Sequence, residues 1–163
     1  MPDALSDLVP PPAAECPDLA VLAAGGRVRS VLLYPDPALR QVCAPVGCLD
    51  WQTLSQLAAD LLATMYDAGG RGLAAPQIGE SWRIFVMDHG WKAGAPHPRV
   101  VLDPEIMALG SATEIMQEAC LSIPDQPVAM RRPVDILMRC FDMTGELLTL
   151  TLSGIEARIA QHE

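Results

Sequence analysis

The sequence predicts an α+β fold built on mostly antiparallel sheets. Three observations point there: a helical repeat over 50–68, a hairpin pattern between 133 and 152, and a helix start signal at Ser153 that closes the chain with a helix. Helix, then mixed strands, then helix is the order of an α+β domain and not of alternating βαβ units. At 163 residues and 50% hydrophobic content, the chain is one domain's worth with ample material for a core.

Residues 1–30 read as a flexible, Pro-rich N-terminal extension, either a plain tail or a docking segment. Leu8-Val9-Pro10-Pro11-Pro12 favours extended or irregular backbone, and Ala23-Ala24-Gly25-Gly26 reads as a hinge. The domain is expected over 31–163, with an early turn at Tyr34-Pro35-Asp36-Pro37. A helix follows from Asp50, a capping side chain. Leu54, Leu57, Ala58, Leu61 and Met65 recur on one face, and Gly69-Gly70 supply the stop. Trp82 to Met87 and Arg99 to Leu102 read as strands. Pro133 to Asp142 and Glu146 to Leu152 flank Met143-Thr144-Gly145 as a hairpin, and Val134, Ile136, Met138 and Cys140 alternate along its first arm. Ser153-Gly154-Ile155-Glu156 fits a capping box, in which hydroxyl and carboxylate each satisfy an orphan amide.

Charge and cysteine usage narrow the function. Eleven basic against twenty acidic residues give a net charge of -9, which argues against general affinity for nucleic acid or anionic lipid. That count is global and leaves room for a local basic site. No apolar run reaches the ~18 residues of a membrane span, and Asp3 and Asp7 stand where a secretory signal carries basic residues. The cytoplasm is the expected location. The five cysteines are odd in number and scattered, so reduced thiols are expected.

Three segments carry chemistry. Gly70-Arg71-Gly72-Leu73-Ala74-Ala75-Pro76-Gln77 lets a ligand approach backbone closely and offers an amide donor. Taken alone it is a tight turn. Glu118-Ala119-Cys120-Leu121-Ser122 taken alone holds an inert core thiol. Gln161-His162-Glu163 taken alone is a solvated end. It also opens an H-E-x-x-H helix, in which residues i and i+4 share a face so that two imidazoles reach one metal while the Glu acts as base.

In this order and spacing the three segments resemble the signature motifs of the peptide deformylase family, over about residues 31–163. The resemblance implies a compact α+β domain with antiparallel sheets around the motif helix. It also implies a hydrolase that removes formate from the N-terminal formyl-methionine of nascent proteins, free or on the ribosome. Cys120 and His162 would hold one divalent metal, Fe(II) first, with Zn(II), Ni(II) or Co(II) also suited to a thiolate–imidazole set. The metal would supply an ionised water near neutrality. Glu163 would move its proton, and Gln77 with the Leu121 backbone N–H would stabilise the oxyanion. The peptide would lie extended against Gly70 and Gly72, with the methionine side chain bordered by Ile155 and Ile159. Arg71, between the glycines, is either solvated or a substrate contact.

The sequence departs from the family pattern in two places. Ala119 replaces the usual Gly beside the metal Cys, which matters where that position needs positive φ. The second histidine of H-E-x-x-H would fall at position 166, beyond Glu163. With two family ligands, metal is expected to bind weakly or to be absent, and formyl-methionyl peptides to be hydrolysed poorly. The alternative is a non-catalytic relative that keeps the peptide groove and has lost metal and activity. A redox role for Cys120 has little support, since no second Cys lies at resolving spacing.

Overall fold

The computed structural model describes residues 17–163. The Pro-rich run Leu8–Ala14 lies outside the described residues. The helix expected from Asp50 is α2, with α1 ahead of it near the N-terminus (Leu19–Ala24, α1; Trp51–Asp67, α2). Asp50 caps α2 by accepting the Thr53 amide at 2.9 Å. The predicted stripe Leu54, Leu57, Ala58, Leu61 and Met65 is buried.

A five-stranded antiparallel sheet follows: β1 (Gly72–Ala74), β2 (Ile84–Met87), β3 (Arg99–Leu109), β6 (Asp135–Phe141) and β7 (Leu147–Ser153), hydrogen-bonded in that order. Between β3 and β6 the chain makes a separate hairpin, β4 (Thr113–Cys120) with β5 (Ile123–Pro133). The last helix is α3 (Gly154–His162). Successive strand residues face opposite ways, so the sheet builds two cores. Ile84, Val86, Val100 and Leu102 pack toward α2. Phe85, Met87 and Val101 pack toward Ala157, Ile159 and Ala160 of α3. Covered on both sides, β2 is buried at every residue. Leu61 is fully buried in the first core. Leu61→Ala is expected to cost about 2–5 kcal/mol, read as a lowered urea midpoint with an unchanged m value.

Several expectations are corrected. Part of the stretch read as extension packs on the domain: α1 lies along α2, with Leu19, Leu22 and Ala23 against the core. The Arg27 amide then donates to Asp60 Oδ1 and the Arg29 amide to Thr64 Oγ1, both at 2.9 Å. The hinge at Ala23–Gly26 is the end of a six-residue helix, too short to show a period. Strand β2 begins at Ile84, while Trp82 makes only an isolated parallel bridge to Ala44.

Strand β3 continues past Leu102 because a bulge absorbs Asp103 and Pro104. The ladder shifts register between Leu102 and Glu105, and buried Asp103 takes φ 48° while accepting the Val46 amide. The capping box is not formed. Ser153 is still paired with Asp135 in the β-ladder and makes no side-chain cap. Gly154, at φ 57°, turns the chain into α3, and its amide donates to Val134 O at 2.8 Å. Glu156 faces Arg99 (3.5 Å) and His89 (3.3 Å) instead. No described helix is long and apolar enough to cross a membrane.

Candidate metal centre

Four pieces of backbone deliver the site. Edge strand β1 and the turn before it bring Gly70, Arg71 and Gly72. The 3-10 turn Ala75–Ile78 brings Gln77. The β4–β5 turn brings Cys120 and Leu121, and the last turn of α3 brings His162 and Glu163, with Ile155 and Ile159 one or two turns earlier. Every residue given a catalytic, metal or substrate role from the sequence lines one groove of about 490 Å³. Close approach explains Gly72: a Cβ there would overlap Glu163 Oε1 and lie 2.9 Å from Ile159 Cγ2. Strand β1 ends the sheet order, so among the described residues one of its edges has no neighbouring strand.

The electrostatics are set in part by neighbours to which the sequence assigned no role. His162 Nδ1 lies 2.9 Å from Glu118 Oε2, and the ring also interacts with the Cys120 side chain. The hydrogen bond to Cys120 is the main influence raising the imidazole pKa to about 9; burial opposes it and Glu118 adds to it. The Cys120 thiol is correspondingly lowered, first by His162, against burial, with help from the Ser122 amide. Burial pushes Glu163 up to about 7, while the His162 charge and the Ala74 amide pull the other way. For Glu118, burial alone would raise the carboxyl. Hydrogen bonds from Arg132, His162 and Arg158 outweigh it and hold the group at about 2.

Glu118 also joins three elements. It accepts from Arg132 Nε at 2.6 Å on β5 and from Arg158 Nη1 at 2.7 Å on α3. Arg132 Nη1 donates to Gln161 O, and Arg158 Nη2 to Glu114 O. This clamp fastens the β4–β5 hairpin to α3. One sequence signal was there: Glu118 and Cys120 are two residues apart on one strand, the spacing of a shared face. Ala119 between them is not among the positive-φ residues, so its methyl group is tolerated at the register shift between Glu118 and Cys120.

The residues suit a metal in part. A thiol poised toward thiolate and an imidazole whose far nitrogen is held by a carboxylate are the donor forms that a soft divalent ion takes. Among the described residues no group of three or more His, Cys, Asp or Glu is arranged to hold an ion. Cys120 and His162 are the thiol and imidazole that the fold brings side by side.

An antiparallel domain whose groove gathers a thiol lowered toward ionisation, an imidazole and a half-buried carboxylate has the makings of a hydrolytic site. Comparison with known proteins makes the class specific. The polypeptide deformylase family model matches residues 28–163. A peptide deformylase of Mesorhizobium japonicum is 42% identical over 136 residues, covering 83% of this chain and 77% of the relative. The structure of a Thermotoga maritima peptide deformylase superposes with a TM-score of 0.77 at 36% identity, covering 84% of this chain and 89% of that one. An Acinetobacter baumannii class I type b peptide deformylase, solved with Met-Ala-Ser bound, gives 0.77 at 31% identity, covering 84% and 91%. The chain belongs to the polypeptide deformylase family.

Proposed function

We propose that this chain removes the formyl group from the N-terminal formyl-methionine of nascent proteins, with Cys120 and His162 as metal donors and Glu163 as its base. The observation that carries the reading is the convergence, on one groove, of a poised thiol, an oriented imidazole and a desolvated carboxylate. Fe(II) is the first choice for the thiolate–imidazole pair, ahead of Zn(II), Ni(II) or Co(II). When bound, such an ion supplies Lewis acidity and an ionised water near neutrality.

The chain's own residues do the rest. Glu163, with a pKa near 7, takes the proton from the attacking water and passes it to the leaving amine. The Gln77 side-chain amide and the Leu121 backbone N–H donate to the oxygen of the formyl group as charge develops on it. A peptide adds as a strand along the open edge of β1 at Gly70 and Gly72. The methionine side chain enters between Ile155 and Ile159, and Arg71 stands at the rim. The Met-Ala-Ser bound to the similar Acinetobacter baumannii enzyme supports a peptide of this kind. The free thiols among the described cysteines and the acidic net charge suit a cytoplasmic enzyme acting on new chains at the ribosome.

The test is formate release from a formyl-Met-Ala-Ser peptide by the Fe(II)-reconstituted protein, beside a version lengthened to place a histidine at position 166. Release that depends on metal in either protein is the expected result. Peptide binding with no formate from both would replace this reading with that of a non-catalytic binder.

A further inference from the structure

We propose that Ser122 is a positioning residue for Gln77, holding one amide hydrogen so that the other stays aimed at the reacting oxygen. The inference rests on the deformylase reading above and adds a residue to it. Gln77 Oε1 accepts the Ala74 amide at 2.9 Å, which settles the end of the side-chain amide that carries oxygen. The NH₂ end then has two hydrogens to place. One goes to Ser122 Oγ at 3.1 Å. The other faces Cys120 Sγ at 4.0 Å, a length at which the bond is weak and the hydrogen remains available to a substrate oxygen in the groove.

Both ends of the Ser122–Gln77 contact are themselves fixed. Ser122 is 5% exposed, sits in the two-residue turn between β4 and β5, and its carbonyl accepts the Tyr34 amide at 2.8 Å. The Gln77 carbonyl accepts the Leu32 amide at 2.7 Å. One short stretch of chain thus buttresses both loops, and the Oγ–Nε2 bond ties the side chains across them. A donor aimed before substrate arrives needs no reorganisation during the reaction. Without the hydroxyl, the Gln77 amide is free to rotate toward Cys120.

The experiment is a double-mutant cycle on the metal-reconstituted protein, with Ser122→Ala, Gln77→Ala, the double variant and Ser122→Thr. Ser122→Ala is expected to lower kcat by about tenfold, the worth of one buried hydrogen bond, with KM changed less than about twofold. Ser122→Thr, which keeps the hydroxyl, should recover most of the loss. In the Gln77→Ala background, Ser122→Ala should have almost no further effect, because the donor it aims is already gone. An equal loss in both backgrounds, or no loss in the unmodified background, overturns the proposal and leaves the deformylase reading standing. If Ser122→Ala does not fold, Ser122→Cys fills the space with a weak acceptor and carries the same cycle. Absence of turnover in both the unmodified protein and the version lengthened to position 166 overturns the deformylase reading, and this inference falls with it.

Discussion

Glu163→Gln is expected to lower kcat by about 10²–10⁴-fold, the range for losing a general acid–base, while leaving fold, metal content and peptide affinity nearly intact. The isosteric amide keeps the packing of the last residue against Gly72. It removes a carboxylate whose burial already raises its pKa to about 7, so no favourable ionic interaction of comparable size is lost with it. Melting temperature should hold or rise slightly. The substitution leaves Cys120 and His162, the proposed metal donors, in place, so metal content by mass spectrometry should not change. The informative pair of measurements is kcat and the dissociation constant of a Met-Ala-Ser peptide by calorimetry. A variant that binds the peptide normally and still turns over at the parent rate removes Glu163 from the chemistry.

The groove residues were legible in the sequence because their chemistry is local. A Gly beside a ligand surface, a thiol in a short apolar run and an imidazole next to a carboxylate show themselves in stretches of two to eight residues. Helix α2 and the β6–β7 hairpin were legible for a similar reason, since their apolar periods of 3.6 and 2 run unbroken. The β4–β5 hairpin was not. Its second strand carries Pro124 and Pro127, and the pattern of exposure along both strands follows no alternation. A two-stranded sheet has two open edges, so the missing proline amides interrupt nothing inside a larger sheet. The failed capping box shows the opposite error. Ser153 and Glu156 have the right spacing, but the β-ladder holds the first and Arg99 and His89 attract the second. Tertiary partners decided what local spacing could not.

Glu118 stood in the sequence only as the first residue of its motif, with no role assigned, for that same reason, and Glu118→Ala is expected to have the largest structural effect of any substitution in the site. Its partners stand 14 and 40 residues away at Arg132 and Arg158, and its own side chain is 8% exposed. Removing it leaves two guanidinium groups, one of them 7% exposed, without their carboxylate. Breaking a buried ion pair from one side costs about 3–5 kcal/mol, because the remaining charge stays desolvated. The loss falls on a hairpin that lies outside the main sheet and depends on α3 for its attachment, and isolated two-stranded hairpins are marginal. His162 loses its Nδ1 partner in the same step, so the ring that should present Nε2 is no longer held.

Two readouts should therefore move together: a lower urea midpoint, and metal affinity weakened by about 10–100-fold. The pH dependence has a definite sign. A carboxyl held at about 2 in the folded protein, against 4.5 for the free side chain, stabilises the fold fully above the higher figure and loses that contribution as pH falls toward the lower. The stability gap between the parent and Glu118→Gln should thus be widest near neutrality and shrink in acid. A gap that stays constant from pH 7 to pH 3 would mean that the charge of Glu118 is not what holds the hairpin to α3.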